Sequence, residues 1–512
     1  MTIAKIGMML AMLMYLLGML YIGFKTADRT GSAGDFYLGG RKLGPFVTAM
    51  SAEASDMSSW LLMGLPGLAY LGGIASPGWT AIGLGIGTYL NWLIVARRIR
   101  IYSEVNDSIT IPEFFSNRYN DTKRLLTLVS AIEIVIFFIP YTGSGFAACG
   151  KLFSSLFGLD YHVAMIASAF VIVGYTSLGG FLAASTTDFI QSIVMSLALL
   201  IVLVFGVQQA GGVSVVMQNA AGLSGYFSML ASHDPVSGSA ASFDFITILS
   251  TLAWGLGYFG MPHILLRFMA IEEAEKLTLS RRIASVWVVI SMGVAIFIGM
   301  VGLGMTNAGN LETLAGSQSE TIIVLIANSL ASYGLFPALI AGVVLSGILA
   351  STMSTADSQL LASSSSIAND IIHNVFRIEL DEKKTMYIAR ASLLIIAVIA
   401  MLIAWNPDSS VFQIVSFAWA GFGASFGPVV LMALFSRRSN FYGAICSMVT
   451  GGAMVFIWKY LVRPMGGFWD IYELLPAFLL AILVNIVVSL MTPAPNLNVT
   501  ADFDQVNARM KG

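Results

Sequence analysis

The chain is predicted to be an all-α polytopic membrane protein of about 13 transmembrane helices, and three observations carry that prediction. Of its 512 residues 57% are hydrophobic and 11% charged, with a mean hydropathy of +0.82, more apolar surface than one soluble core can hide. Apolar runs of the roughly 20 residues needed to cross about 30 Å of hydrocarbon recur along most of the chain. The basic residues between those runs alternate in a way that one threading explains.

The runs fall near 5–24, 46–71, 77–96, 125–147, 160–179, 185–208, 245–270, 283–306, 322–352, 386–404, 409–435, 441–461 and 472–491, numbered here as spans 1 to 13. Span 1 continues into Lys25 and Ala27-Asp28 without a small-residue cleavage site, so it is expected to stay in place. With an external N-terminus, all of the 26 Lys and Arg residues except Lys5, Lys151, Lys459 and Arg463 fall on the cytoplasmic side, as short cytoplasmic loops require. The C-terminus is then cytoplasmic. No basic stripe interleaved with aromatic residues points to nucleic acid. Cys149 and Cys446 lie in apolar surroundings without CxxC spacing and read as packing residues. Residues 209–244 are Gly/Ser-rich and form an external loop with room for a short amphipathic helix, while the polar tail after about residue 492 reads as mobile.

Two spans are interrupted. Residues 51–67, SAEASDMSSWLLMGLPG, place Glu53, Asp56 and four serines before a Gly-Leu-Pro-Gly stop in span 2, and residues 254–262, WGLGYFGMP, break span 7. A backbone broken at membrane depth among polar side chains is tolerated where it lines a site. Broken helices five spans apart are the trace of an inverted-repeat transporter. They are equally what the frequency of Gly and Pro in membrane helices produces, and spacing alone does not choose.

The motifs add a resemblance. SAEASDMSSWLLMGLPG, LGGRKLGPFVTAM at 38–50, WGLGYFGMPHILLRFMA at 254–270 and STMSTADSQLLASSS at 351–365 together resemble the sodium/solute symporter family, and within it the bacterial sodium/proline symporters, from about residue 35 to about residue 460. The resemblance implies a LeuT-type five-plus-five inverted repeat of spans 2–6 and 7–11, with spans 2 and 7 discontinuous. It divides the chain into an N-terminal helix and loop (1–45), a transport core (46–435), two accessory helices (436–491) and a cytoplasmic tail (492–512). The implied activity is import of L-proline across a bacterial cytoplasmic membrane by alternating access, with Na+ as the coupling ion; another small amino acid or a monocarboxylate keeps the same fold. Nothing in the sequence signals an oligomeric state.

A sodium site needs several oxygens, most simply carbonyls freed at a helix break and hydroxyls from a facing helix. By resemblance these are the carbonyls of Ala54, Met57 and Ser351 and the hydroxyls of Ser354 and Thr355; such hydroxyls otherwise bond to their own helix or join helices. Asp56 is implied in sodium coupling. Asp188, Asp357 and Ser358 form a second cation site or exit relay, or else a solvated pair at a helix mouth. The implied substrate residues are Ser58, Trp60, Tyr141, Trp254, Tyr258 and Pro262. Half-helix N–H groups suit a carboxylate, and Trp and Tyr faces suit an apolar ring and an ammonium. No Lys or Arg is expected at mid-membrane, which disfavours a dianionic substrate. Arg41 reads as a coupling residue or a plain cytoplasmic anchor, and His263 and Arg267 as caps or gates of the cytoplasmic half.

Four positions depart from the proline symporter pattern: Glu53 and Ser59 replace glycines, Met261 a glutamine, and Glu133 an apolar residue. Glu53 and Glu133 are expected to approach each other or a shared aqueous path and so modify pH dependence or ion choice, unless each bonds locally. Two other classes are weaker. A transporter-derived sensor needs a signalling domain for which the tail leaves no room, and an enzyme needs a constellation that the dispersed His162, His233, His263 and His373 do not form.

Overall fold

In a bilayer every backbone polar group must be satisfied within the protein, so apolar runs of this length become helices. The computed structural model describes residues 2–27, 38–378 and 381–511; Asp28 and Arg29, in the loop after span 1, lie outside them. Among the described residues ten helices are long and apolar enough to cross a membrane, or eleven when a bent pair is taken as one span.

The chain begins with α1 (Ile3–Ala27). It then forms α2 (Pro45–Ser59), which turns through a π-helical stretch, Trp60–Gly64, into α3 (Leu65–Gly72). Next come α4 (Ala75–Leu90), continued by Asn91–Ala96 into α5 (Arg97–Val105), then α6 (Ile111–Arg118), α7 (Leu125–Phe157) and α8 (Tyr161–Gln209). Spans 5 and 6 are thus one helix, broken at Gly180, whose φ of 66° suits a residue without Cβ.

The loop after α8 contains the expected short helix, α9 (Val213–Ala221), and an antiparallel hairpin that the sequence does not predict: β1 (Ala231–His233) with β2 (Ala240–Ser242), Ser232 opposite Ala241. Span 7 is the bent pair, α10 (Phe245–Leu252) with the 3-10 segment Ala253–Gly260, then α11 (Pro262–Ala270), at 45°. α12 (Leu277–Asn307) follows. The run read as span 9 is two elements, α13 (Ile322–Ala331) and, after Gly334, α14 (Leu335–Ser365). The motif at 351–365 therefore lies inside α14, continued by Ser366–Val375. Four more helices complete the bundle: α15 (Glu382–Ile403), α16 (Val411–Phe435), α17 (Phe441–Ile457) and α18 (Leu474–Met491). α14 packs along α8, α1 and α7, while α16 packs along α7, α17 and α18. Cys149 is buried as expected, but Cys446 is exposed on α17.

The tail departs from expectation. Residues Leu497–Lys511 form α19, which buries Val499, Phe503 and Val506 and sets Phe503 5.4 Å beneath the Arg118 guanidinium. Arg437 grips Asp504 with two hydrogen bonds of 3.0 and 2.9 Å, and Arg98 reaches both Leu434 O and Asn507. Three apolar residues at helical spacing hold a polar segment in place. The end of the bundle that carries α19 is called here the tail end.

Candidate functional site

The break in α2 occurs at Ser58, whose φ of 44° and ψ of −168° end the helix and release the carbonyls before it from their usual partners. α14 runs alongside. Ser354 Oγ donates to Ala54 O at 2.8 Å and lies 3.3 Å from Ser351 O, and Thr355 Oγ1 donates to Ser351 O at 3.0 Å. Four of the five oxygens expected for sodium are therefore in one buried chain of hydrogen bonds. The fifth stands apart, because Met57 O accepts the Trp60 N–H. This donor set is neutral hard oxygen, and a hydroxyl hydrogen rotates aside for a cation, so the residues fit a monovalent ion.

Asp56 projects from the same turn. Its Oδ2 accepts from Tyr258 at 2.6 Å and its backbone carbonyl from Tyr141 at 3.0 Å. Asn91 Nδ2 in turn donates to Tyr258 O at 2.9 Å. Aromatic rings lie beside it: Trp60 is 6.1 Å from Trp254, and Trp254 stacks on Tyr472 at 5.5 Å and Trp419 at 6.3 Å. Phe412 closes on Trp254 at 5.0 Å, and Trp419 Nε1 donates to Trp254 O at 2.7 Å. Gly257 is required here, since a Cβ would come within 1.9 Å of Trp419 Nε1. Tyr141 and Tyr258 thus contact Asp56, Trp60 and Trp254 pair beside them in the ring layer, and Ser58 Oγ accepts the Trp60 N–H at 3.3 Å. Phe412, Trp419 and Tyr472 were missed; aromatic residues in apolar spans carry no distinguishing signal. Pro262 begins α11 and lines a cavity of about 50 Å3 with His263, Arg267, Ser358 and Asp370, which the ring layer does not line.

Asp188, Asp357 and Ser358 do come together, but around a guanidinium. Arg267 Nη2 donates to Asp188 Oδ2 at 2.8 Å and to Ser358 Oγ at 2.7 Å, and Nε donates to Ser51 Oγ at 2.6 Å. Ser51 Oγ donates to the same Asp188 oxygen at 2.7 Å. Asp357 Oδ1 lies 3.3 Å from Ser358 Oγ. Arg267 thus sets a positive charge beside Asp188, and both carboxylates are buried rather than solvated. Arg267 lies in the last turn of α11, and its charge is committed to Asp188. The pairing was invisible because 79 residues separate the partners.

Arg41 is a tie rather than a loose anchor. Its guanidinium donates to Met269 O at 2.7 Å, Ser103 O at 3.0 Å and Ser108 O at 2.9 Å. Burial, and then the charge of Arg100, push its pKa down to about 10, which leaves it charged at neutral pH. Two residues on, Leu43 N–H donates to Ala270 O and Leu43 O accepts from Glu272 N–H. The start of α2 is thereby stitched to the end of α11. At the opposite end of the bundle, Lys151 Nζ lies 2.7 Å from Glu320 Oε2 and 2.8 Å from Ser409 O. Glu320 also accepts from Ser410 Oγ and the Val411 and Phe412 N–H groups, a carboxylate on the α16 N-terminus.

The two extra glutamates do not meet. Glu53 Oε1 accepts from Trp92 Nε1 at 2.9 Å and Thr88 Oγ1 at 3.3 Å. Glu133 faces Gly452 of α17, where a Cβ would come 2.7 Å from Oε1. They face different helices and share no partner among the described residues.

The description "Sodium:solute symporter family" belongs to a family model that matches residues 36–451. A sodium/proline symporter of Staphylococcus aureus is 39% identical over 499 residues, covering 96% of this chain and 94% of that protein. One from the USA300 strain is 39% identical over 493 residues, covering 95% and 92%. Among solved structures, a substrate-bound outward-open Na+-coupled sialic acid symporter superposes with a TM-score of 0.78 at 17% identity, over 97% of this chain and 99% of that one. Mhp1, a nucleobase-cation-symport-1 family transporter in a closed conformation, gives a TM-score of 0.54 at 11% identity, over 93% and 99%. These two likenesses carry the fold, that of LeuT-type transporters.

Proposed function

The chain belongs to the sodium:solute symporter family, and on that footing we propose that it imports L-proline with sodium by alternating access. Sodium is the coupling ion. One observation carries the proposal: Asp56 joins the hydroxyl-carbonyl chain of α2 and α14 to the aromatic layer, through Tyr141 on its backbone and Tyr258 on its carboxylate.

In this reading Ala54, Met57, Ser351, Ser354 and Thr355 hold sodium. Bound there, the ion fixes both sides of the Ser58 break and with it the rings that receive substrate. The carboxylate of proline meets N–H groups freed at the break, its ring packs between Trp60 and Trp254, and its ammonium lies against π faces and the Asp56 carboxylate. A strongly acidic substrate is disfavoured, because the nearby guanidinium of Arg267 is already paired.

The tail end is assigned to the cytoplasm, following the Lys and Arg distribution, and the N-terminus to the outside. About 13 spans follow when the broken α2–α3 unit and the first half of α8 are counted as crossing, and spans 2–6 and 7–11 form the two repeats of a core over 46–435. The Arg267 cluster then ties α2, α8, α11 and α14 below the site, and the Lys151–Glu320 pair ties α7 to α16 above it. Arg41 couples α2 to α11. Alternating access is the opening of one tie while the other holds.

A second reading, another small amino acid or a monocarboxylate, is favoured by Met261, a fully buried thioether where the proline pattern has glutamine. Uptake of labelled proline into proteoliposomes, with competition by small amino acids and monocarboxylates, separates the two. Sodium-dependent uptake blocked by excess unlabelled proline is expected; uptake indifferent to sodium overturns the main reading.

A further inference from the structure

α8 and α12 leave a furrow of about 550 Å3 between them, lined by Leu200 and Leu203 on one side and Val286, Trp287 and Ile290 on the other. Leu200 is 56% exposed and Val286 and Ile290 are 59% exposed, whereas Met50 of α2, at the floor, is 9% exposed. Trp287 Nε1 donates to Ser196 Oγ at 2.9 Å, and Ser196 Oγ to Ser192 O at 2.8 Å. With those polar atoms engaged, the walls offer mainly hydrocarbon.

Exposed apolar side chains are ordinary on a surface that faces lipid, so the length of the furrow and its end are what distinguish it. Along α12 it runs from Arg282 to Val294, about 18 Å at 1.5 Å per residue. The hydrocarbon of one leaflet is half of about 30 Å, so the furrow is as long as a leaflet is deep.

Arg282, at one end, is the charged residue of the lining. It is exposed and has no hydrogen bond or ion pair among the described residues. Arg281 turns elsewhere, over the Tyr89 ring of α4 at 5.6 Å. The carboxylates just before α12 are engaged by other cations: Glu272 and Glu273 by Lys276 at 2.7 and 2.9 Å, and Glu275 by Arg97 at 3.7 Å. An apolar furrow one leaflet long that ends in an unpaired guanidinium complements a hydrocarbon chain with an anionic phosphate at its head.

We propose that this furrow binds an anionic phospholipid, with one acyl chain between α8 and α12 and the phosphate on Arg282. The Lys and Arg distribution places Arg282 on the cytoplasmic side, where anionic lipids attract basic residues at the membrane surface. Met50 stands one turn before Ala54, and α2 packs against both α8 and α12. The bound chain therefore braces the half of α2 that leads to the Ser58 break. The inference takes from the symport reading only the choice of leaflet, and its test involves no transport, so either can fail alone.

Purified full-length protein in detergent is titrated with phosphatidylglycerol or phosphatidylcholine carrying the same brominated acyl chains, read as quenching of tryptophan fluorescence. Phosphatidylglycerol is expected to reach half-saturation at about tenfold lower concentration. The quenching should shrink in Trp287→Phe. The preference should vanish in Arg282→Gln and persist in Arg281→Gln, which removes the same charge one residue away. Equal half-saturation for the two lipids, quenching unchanged in Trp287→Phe, or a preference that survives in Arg282→Gln overturns the proposal. A dimer whose interface excludes both lipids from Trp287 also overturns it, by giving the furrow to a second copy. If Arg282→Gln does not fold, the lipid comparison on the unmodified protein and on Trp287→Phe decides.

Discussion

Tyr258 and Asp56, 202 residues apart, meet in a 2.6 Å hydrogen bond at the point where the two broken helices face each other. The phenol belongs to the ring layer and the carboxylate to the turn beside the hydroxyl-carbonyl chain, so in the proposed reading ion and substrate share one link. Tyr258→Phe leaves Asp56 Oδ2 bare. Losing a hydrogen bond to a charged group costs about 1.5–3 kcal/mol, so the sodium half-saturation for uptake is expected to rise by about tenfold or more, read from sodium titrations of proline transport.

Ser354 and Thr355 supply hydroxyls that hydrophobic isosteres cannot. Ser354→Ala and Thr355→Val are each expected to weaken sodium dependence by about tenfold, whereas Thr355→Ser retains it. Parallel sodium titrations of the three variants check this. Equal half-saturation for Thr355→Val and the unmodified protein would remove that residue from the site.

Arg267 is held by Asp188 at 2.8 Å, and both side chains are buried. Arg267→Gln leaves two buried carboxylates without their counter-charge, a loss of about 3–5 kcal/mol. The melting temperature in detergent should fall clearly. Asp188→Asn added to Arg267→Gln should cost less than the sum of the single changes, a coupling that a double-mutant cycle on thermal unfolding measures.

Lys151 and Glu320 close the opposite end, where Glu320 also caps α16. Lys151→Met strands the buried Glu320 and weakens the tie between α7 and α16. The expected outcome is a shift toward the state open at that end, read as faster labelling of a single cysteine placed at Ser59 by a reagent added outside. Unchanged labelling would show that this pair is not a gate.

The docked tail makes a simpler prediction. Phe503→Asp puts a charge into the contact beneath Arg118 and should release α19, exposing the 496–512 segment to protease. Arg437→Ala removes only an exposed pair with Asp504 and should change protease resistance little.

What could be read in advance follows from what is local. The break at Ser58 announces itself through Gly64, Pro66 and Gly67 in an apolar run, and hydroxyls one turn apart on α14 place themselves on one face. Contacts between distant segments leave no such mark. Arg267 reads as one more cytoplasmic arginine until packing sets it against Asp188, and Glu133 reads as a companion of Glu53 until the helices turn it toward Gly452. α19 was missed because only three apolar residues hold it down, and Phe412, Trp419 and Tyr472 because aromatic residues are ordinary in membrane helices.

Ser58 has one more consequence. At φ 44° and ψ −168° it holds a conformation almost reserved for glycine, at a cost of about 1–3 kcal/mol. Any arrangement in which residue 58 returns to a negative φ recovers that strain. The break is therefore a wound spring as well as a gap: ligands that keep it open work against the main chain, and their departure is helped by the backbone they leave behind.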